Sequence, residues 1–366
     1  MAVSHGCPLF HVPQAALKAS SPTSFEALLS SLLSHGHVAE WKGSAGILES
    51  GGAVSSSAAA SRGESEGMLR LVGTPSMSSV AEGTLKLARP ADSASSLDTR
   101  FDTRVAEVKP QKLDSGVEGW ELLDKEQKSL GCYDWVVVTS ATMAHQRHRQ
   151  TFGVDPPMLV ASQLRGNAGL AGVIDQVNRL QFQGVHVTML AWSIAAEDAD
   201  AALALKQLPC DVMEVADDEI LAKVVRQPVE PPLAAVVLHS TAAFAAKHTK
   251  VFGSQSSAAK FVSGSSDEEA AVVAEMQHAL DRLLVDRLGG RKLPTPSWGP
   301  VLHRWSAAFP FLQVESTQSG EQAWVLPEAK VAFAGDYVAQ PLGCIAGALA
   351  SGIEAATGIL HSSAPP

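Results

Sequence analysis

The chain has 366 residues, of which 46% are hydrophobic and 18% are charged, a composition typical of a folded globular protein. Its formal net charge is −10 and it has no block of Lys or Arg, which argues against binding to nucleic acid. Neither a secretory signal nor a run of about 18 uncharged apolar residues occurs. The sequence therefore predicts a soluble intracellular protein with no membrane partner, without distinguishing the cytoplasm from an organelle.

The length exceeds that of one compact core and predicts two domains or one core shared by discontinuous segments. Four cysteines lie far apart without a C-x-x-C pair: Cys7, Cys132, Cys210 and Cys344. This spacing indicates neither a zinc site nor a disulfide framework, and it favours a reducing compartment. His145 and His148 could share a metal, but no third ligand stands at a suitable spacing, so we expect no metal site.

Three segments have compositions typical of surface insertions. Gly51–Gly67 and Gly253–Glu269 are small and polar, and we expect both to be exposed loops. Glu197–Glu219 carries many acidic residues in an Ala-rich background and is predicted to be a solvated helix or loop.

A helix is predicted over Pro75–Leu87, with Pro near its start and apolar residues roughly on one side. Three strands are predicted to follow: Arg104–Lys109, Trp120–Leu123 and Tyr133–Ser140. Within the last one, Trp135–Val138 lacks polar alternation, which predicts burial on both faces in the middle of a layered sheet.

The C-terminal segment is predicted to be a short strand, a glycine turn and a helix. The strand is Lys330–Ala334, the chain breaks at Gly335-Asp336, and apolar residues then repeat every three or four positions from Ile345 to Leu360. Such a unit can bring backbone N–H groups to a ligand. A strand-turn-helix without a ligand, in which Asp336 only caps a turn, stays open as the alternative.

This segment resembles the closing flavin motif of amine-oxidase-like and renalase-like enzymes: an apolar strand, Gly-Asp, a Pro/Gly loop and a helix that ends in Ser-Gly-x-x-Ala-Ala. The resemblance implies FAD as cofactor. It implies that Asp336, after Gly335, binds the ribityl or phosphate region. It also implies that the start of the last helix faces the pyrimidine edge of the isoalloxazine, with backbone groups around Gly343, Cys344, Ile345 and Ala346.

Other segments resemble the same family in the same order. Tyr133–Ala141, which contains Ser140, resembles the strand that ends near the dinucleotide. Asp102–Val108 resembles the strand whose Val, here Val105, meets the adenine through its backbone. His303-Arg304-Trp305 resembles a strand beside the active site, which implies that Trp305 contacts the substrate.

Two departures from the family pattern bear on function. The family opens with a strand, G-x-G-x-x-G and a helix that seat the pyrophosphate, whereas the early glycines Gly6 and Gly36 have another spacing. The last helix has Ala346-Gly347-Ala348 where the family often has Glu-Gly-Ala. We therefore expect the flavin domain to be incomplete.

The predicted fold class is α/β, a two-domain flavoprotein fold with an incomplete Rossmann-like FAD domain and an antiparallel-sheet substrate domain. Residues 68–150 and 322–362 are assigned to the FAD domain, and residues 1–67 and 151–321 to the substrate domain. The substrate-domain sheet is predicted to include Val185–Trp192, Ala234–His239 and Val301–Trp305.

The resemblance implies an oxidoreductase that transfers a hydride from a C–H next to nitrogen, in an amine or a reduced nicotinamide isomer, to flavin, with oxygen as acceptor. The sequence shows no catalytic base to nominate, which such chemistry does not require because the cofactor carries the electronic work. The alternative is a non-catalytic remnant or truncated gene product that acts at most as a binding module.

Overall fold

The computed structural model describes residues 4, 6–14, 24–56, 67–88, 97–114, 116–193, 205–229, 233–254, 266–312 and 322–363. The chain divides into two compact units, Met1–Ala88 with Gln183–Ala308 and Arg89–Phe182 with Phe309–Pro366. Relative to the predicted domains, residues 68–88 lie in the first unit, and residues 151–182 and 309–321 lie in the second. The roles of the two units as substrate and FAD domains stay predictions.

The first unit holds two sheets and four helices within its described residues. Its strands are β1 (Phe10–Pro13), β2 (Val38–Glu40), β3 (Ala45–Leu48), β4 (Val54–Ser56), β5 (Met68–Gly73), β10 (Leu180–Ser193), β11 (Val212–Val215), β12 (Leu221–Gln227), β13 (Leu233–Ser240) and β14 (Trp298–Leu312); its helices are α1 (Ser24–Ser34), α2 (Ser78–Leu87), α6 (Ala242–Lys247) and α7 (Ser266–Arg282). The boundary between the units at residues 182 and 183 lies within β10, and the boundary at residues 308 and 309 lies within β14.

A seven-stranded sheet organises the first unit, in the order β14-β10-β13-β12-β11-β3-β4, and β1-β5-β2 form a second sheet. Alternate residues of β10 enter two cores: Leu190 and Trp192 pack on one face, and Val187 and Met189 on the other. The predicted strands at 185–192, 234–239 and 301–305 are confirmed as members of this sheet. Trp192 is buried, and its indole N–H donates to the carbonyl of Pro294 at 2.9 Å.

The prediction of a solvated acidic insertion at 197–219 is wrong for its described part, which begins at Leu205. β11 lies inside the sheet, parallel to β3 and antiparallel to β12, and Met213 is fully buried. The Asp211 carboxylate accepts hydrogen bonds from Ser44 N at 2.8 Å and Arg226 Nε at 2.9 Å. Although burial acts to raise it, the pKa of Asp211 is lowered by these bonds. The acidic composition of the segment does not reveal this four-residue strand, because its stabilising partners lie far away in the sequence.

The two Gly/Ser-rich segments are described only at their ends, since residues 57–66 and 255–265 lie outside the described residues. Val54–Ser56 forms β4 and pairs with β3, and Ser266–Glu269 begins α7. The prediction of irregular loops is therefore wrong at these ends. The backbone groups of Val54–Ser56 find partners on β3, and those of Ser266–Glu269 belong to a helix.

The second unit contains two three-stranded sheets and four helices in its described part. Its elements are β6 (Glu107–Lys112), β7 (Glu118–Leu123), β8 (Ser129–Tyr133), β9 (Val136–Val138), α3 (Arg147–Phe152), α4 (Pro157–Arg165), α5 (Ala168–Arg179), β15 (Trp324–Leu326), β16 (Val331–Phe333) and α8 (Ile345–Ser363). Strands β6, β7 and β8 form an antiparallel meander, while the other sheet has the order β15-β16-β9. No helix in the described ranges is long and apolar enough to cross a membrane.

Trp120 of β7 is the largest fully buried side chain of the second unit. Its indole N–H donates to the carbonyl of Ala329, just before β16, at 3.0 Å. The guanidinium of Arg165 lies 4.7 Å from the Trp120 ring centroid and pairs with Glu118 at 3.0 Å. One aromatic side chain thus joins the meander to α4 and to the strand that leads into the C-terminal turn.

Three predictions about the strands of the second unit need correction. The predicted strand Tyr133–Ser140 is two strands, β8 and β9, which belong to different sheets. β9 shares a sheet with β16, as expected, but Val105–Val108 does not, because in the described part of the chain β6 pairs with β7 of the meander. β9 pairs with β16 alone among the described residues, and Val137 is 44% exposed, so Trp135–Val138 is not buried on both faces.

His186 of β10 is fully buried and is held as the neutral imidazole. Its Nε2 donates to the carbonyl of Val251 at 2.9 Å, and its Nδ1 has no hydrogen-bond partner among the described residues. Burial lowers the pKa of His186 to about 4, with nearby Arg304 acting in the same direction and the bond to Val251 opposing. Between about pH 4 and pH 6.5, the unfolded chain, whose histidine pKa is near 6.5, therefore binds a proton at this residue that the folded chain does not bind.

We expect the free energy of unfolding to fall as the pH drops from about 6.5 to about 4, by roughly 1.4 kcal/mol per pH unit from His186 alone. A His186→Gln variant should show a flatter dependence in this window, because Gln can donate to Val251 but cannot titrate. Denaturant unfolding at several pH values measures this effect. The exposed His278→Gln variant is the control, and an equal flattening in it would contradict the assignment.

Candidate functional site

The predicted flavin site lies at the carboxyl ends of two parallel strands. β9 and β16 pair in register, Val136 with Val331 and Val138 with Phe333, and Ala334 N extends the ladder by donating to Val138 O at 3.1 Å. Both strands therefore end at the same edge of the sheet, which is where open α/β sheets place their ligands. The segments that follow them, at Ser140 and at Gly335, emerge side by side.

Gly335 occupies a position where any residue with a side chain would be strained. Its φ is +137°, and a Cβ there would lie 3.1 Å from the ring of Tyr337 and 3.2 Å from the carbonyl oxygen of Thr139. Its N–H donates to the hydroxyl of Ser351 at 3.0 Å. The turn thus contacts the strand beside it and is tied to the helix that follows.

Tyr337 fixes the same turn from the interior. Its buried hydroxyl donates to the carbonyl of Val138 at 2.7 Å, and burial raises the pKa of Tyr337 well above its usual range. The phenol is therefore a permanent hydrogen-bond donor that locks the Gly-Asp turn to the end of β9.

Asp336 lies half-buried between the turn and the start of α8. Burial raises the pKa of its carboxyl group, against the hydrogen bond from its own backbone N–H. Its main-chain carbonyl accepts from Gly343 N at 2.7 Å, which closes the loop between strand and helix. A partly desolvated carboxylate favours a ligand that offers hydroxyl or N–H donors.

The first turn of α8 is built from small residues and has no acidic side chain. Cys344 Sγ donates to Pro341 O and accepts from Gly347 N, each at 3.2 Å, and burial raises the pKa of this thiol. Within the described part of the chain, the N–H groups of Ile345 and Ala346 have no acceptor. The start of the helix is therefore a source of donors and positive potential.

The structure brings together seven of the nine residues predicted for cofactor or substrate. These are Ser140, Gly335, Asp336, Gly343, Cys344, Ile345 and Ala346. Ser140 is exposed and opens the 3-10 turn Ala141–Met143. Val105 lies just before β6, in the meander, where it packs against the core of the second unit. Trp305 lies in the first unit on β14, 40% exposed and with its ring 4.6 Å from that of His303.

Sequence reasoning gave no role to Tyr337, nor to Ser351, which is the Ser of the Ser-Gly-x-x-Ala-Ala pattern. Tyr337 is one of only two tyrosines in the chain and follows Gly-Asp directly, which was an available signal. Ser351 is the first polar residue of the last helix, after six small or apolar residues, and a fully buried hydroxyl there requires a partner. In the described ranges no group of three His, Cys, Asp or Glu is arranged to hold a metal ion.

No protein-family model matches the chain, and neither does any curated protein sequence. Among solved structures, a triple mutant of putrescine oxidase, from a redesign of its cofactor binding, aligns with 82% of this chain at 12% identity and a TM-score of 0.50. Wild-type putrescine oxidase bound to putrescine aligns with 80% of this chain and 54% of its own at 13% identity and a TM-score of 0.46. A Diels-Alderase of pyrroindomycin biosynthesis aligns with 98% of this chain and 58% of its own at 14% identity and a TM-score of 0.44.

The first of these alignments shows a similar fold and confirms the predicted α/β class. At 12% identity it describes the fold alone. The chain spans 56% of the length of that oxidase.

We expect Ser351→Ala to lower the free energy of unfolding by about 1 to 3 kcal/mol, because the N–H of Gly335 loses its acceptor inside the protein. Ser362→Ala on the same helix should change it by less than about 0.5 kcal/mol, because Ser362 is exposed and bonds only Gly358 O. Chemical denaturation compares the two. Equal losses would show that the Ser351 hydroxyl does not stabilise the turn.

Proposed function

We propose that this chain is part of an FAD-dependent oxidoreductase of the amine-oxidase and renalase type. The observation that carries the proposal is the parallel pair β9–β16, which sets the Gly335-Asp336 turn and the start of α8 at one sheet edge. When bound, FAD would supply a hydride acceptor for a C–H next to nitrogen, in an amine or dihydronicotinamide, with oxygen as the final electron acceptor and hydrogen peroxide as its product. The similarity in fold to putrescine oxidase supports this reading.

The residues present fit the ribityl and isoalloxazine end of the cofactor. Asp336 would accept hydrogen bonds from ribityl hydroxyls, since its half-buried carboxylate gains most from such donors. The N–H groups of Ile345 and Ala346, with the positive end of α8, would favour negative charge on the pyrimidine edge. The first turn of α8 has no acidic residue of its own to oppose that potential.

The pyrophosphate end has no such fit within the described residues, which contain no G-x-G-x-x-G between a strand and a helix. We therefore propose that phosphate binding depends on a strand-loop-helix unit in addition to these residues. Val105 as adenine contact and Trp305 as substrate contact belong to the same proposal.

The alternative proposal is a non-catalytic remnant or truncated product that serves at most as a binding module. It is favoured by the missing phosphate cradle in the described ranges. Turnover by the flavin-loaded protein separates the two proposals, because a binding module holds its ligand without oxidising a substrate.

We expect the chain as written to retain little FAD after dialysis, and a version extended upstream by a strand, G-x-G-x-x-G and a helix to retain it. In the extended version, Asp336→Ala should weaken FAD binding by about 10- to 100-fold through loss of a charge-assisted hydrogen bond. Flavin absorbance of the dialysed protein measures occupancy, and peroxide release with putrescine or a dihydronicotinamide measures turnover.

Asp134→Ala is the matched control, because Asp134 is exposed and lies just before β9. Stoichiometric FAD on the 366-residue chain would contradict the prediction that its flavin domain is incomplete. Unchanged FAD occupancy in the Asp336→Ala variant of the extended chain would contradict the assignment of Asp336 to the flavin site. Flavin retention by the extended chain without turnover of either substrate class would favour the binding module.

A further inference from the structure

A short irregular segment lies against β10 and β14 of the first unit. This segment, Thr249–Gly253, which we call the strap, follows α6 and belongs to no helix or strand. Its Val251 is buried, whereas Thr249 and Lys250 are exposed. Because the strap has no hydrogen-bond ladder of its own, its position depends on the groups that its carbonyl oxygens meet.

Two residues of the sheet supply donors to three carbonyl groups of the strap. His186 of β10 donates from Nε2 to Val251 O at 2.9 Å. Arg304 of β14 donates from its backbone N–H to Phe252 O at 3.0 Å and from its guanidinium to Thr249 O. The guanidinium carbon also lies 5.3 Å from the centroid of the Phe252 ring. The strap is therefore fastened through the side chain of His186 and through Arg304.

Gly253 closes the strap against β14. Its φ is +85°, and a Cβ at this position would collide with the carbonyl group of Leu302. The backbone here therefore lies so close to β14 that no room remains for a side chain.

His186 is suited to hold the strap only in its neutral form. The residue is fully buried, and its Nδ1 has no hydrogen-bond partner among the described residues. A second proton, on Nδ1, would be left without an acceptor there, and the charge would lie in the interior. Burial is accordingly the main cause that lowers the pKa of His186 to about 4.

The surroundings of the ring give no compensation for a positive charge. In the described part of the chain, the charged groups that act on it are Arg304 of β14 and His248 after α6, and both oppose its protonation. The His248 ring centroid lies 6.3 Å away. On β13, the neutral hydroxyl of Ser240 accepts from the backbone N–H of His186 at 3.0 Å. On α7, the neutral Met276 meets Thr188 of the same strand.

Movement of the strap is a small rearrangement that would bring water to this imidazole. Val251, whose carbonyl holds the ring, is 4% exposed and covers it from the side of the strap. The strap has five residues, whereas β10 lies inside the seven-stranded sheet between β14 and β13. Displacing the strap therefore breaks far fewer interactions than displacing β10.

We propose that the strap is an acid-sensitive device, in which protonation of His186 releases Thr249–Gly253 from β10 and β14 while the sheet stays folded. Release allows water to solvate the imidazolium, and the backbone N–H of Arg304 loses its acceptor. This local opening is distinct from the fall in the free energy of global unfolding. Because Arg304 precedes Trp305, opening would also make the substrate contact proposed for Trp305 sensitive to acid, but the opening itself does not rest on that proposal.

Hydrogen exchange at the Arg304 N–H reports on the strap directly, because Phe252 O is its acceptor. Its protection factor, measured by NMR and corrected for intrinsic exchange, should fall about 30-fold from about pH 7.5 to about pH 5. The reason is that the pKa of His186 is about 4 with the strap closed and that of a solvated histidine is 6.5. The Val237 N–H in the central strand β13 should stay at least about 100-fold better protected. Equal protection of the two N–H groups at this acid pH would overturn the proposal, since only global unfolding would then expose Arg304.

His186→Gln can still donate to Val251 O but does not titrate. In this variant the protection of the Arg304 N–H should change by less than about 3-fold over the same pH range. The exposed His278→Gln variant is the control and should behave like the parent chain. An unchanged fall in His186→Gln, or an equal flattening in His278→Gln, would contradict the role of His186.

Gly253→Ala tests the strap without altering a titrating group. Its Cβ would collide with the Leu302 carbonyl, so the protection of the Arg304 N–H should already fall about 10-fold or more near neutral pH. Gly289→Ala is the matched control, because Gly289 also has a positive φ but has open space around it. An equal effect of the two changes would contradict the role of the strap. If His186→Gln does not keep the circular dichroism and melting temperature of the parent, this pair and the pH dependence of the parent decide.

Discussion

The parallel pairing of Val136–Val138 with Val331–Phe333 is the constraint on which the candidate site depends. It joins segments almost two hundred residues apart and makes two chain turns leave the sheet at the same edge. Parallel strands need a long crossover, so nothing local in either segment specifies this meeting. The free energy that holds it comes from the core beneath, where Val138, Val331 and Phe333 are buried with Trp120.

Two interior hydrogen bonds convert this pairing into a defined loop. The Tyr337 hydroxyl holds the turn to the end of β9, and the Ser351 hydroxyl holds it to α8. The Tyr337 bond is buried and the Ser351 bond is part-buried, so water competes little for either of them and both bonds restrict the loop. Asp336 is thus placed by its neighbours, while its own carboxylate remains available to a ligand.

The sequence was informative where local chemistry decides the structure. The Gly335 turn and the periodic helix that follows were predictable, because a positive φ selects glycine and helix burial repeats every three to four residues. The sequence was not informative where the partners of a strand lie far away along the chain. The break between β8 and β9 cannot be seen in an apolar run, and β11 is hidden by acidic neighbours because its partners lie in β3 and β12.

The exposure of Val137 has a consequence for how the chain behaves at high concentration. Among the described residues β9 has a neighbour on one side only, and its three residues are valines, with neither a charge nor a proline to discourage another strand. A strand of a second chain that extended the sheet at this edge would pair with three residues only, which limits such growth. A charged residue in place of Val137 would oppose this growth without entering the core, since its side chain already faces water.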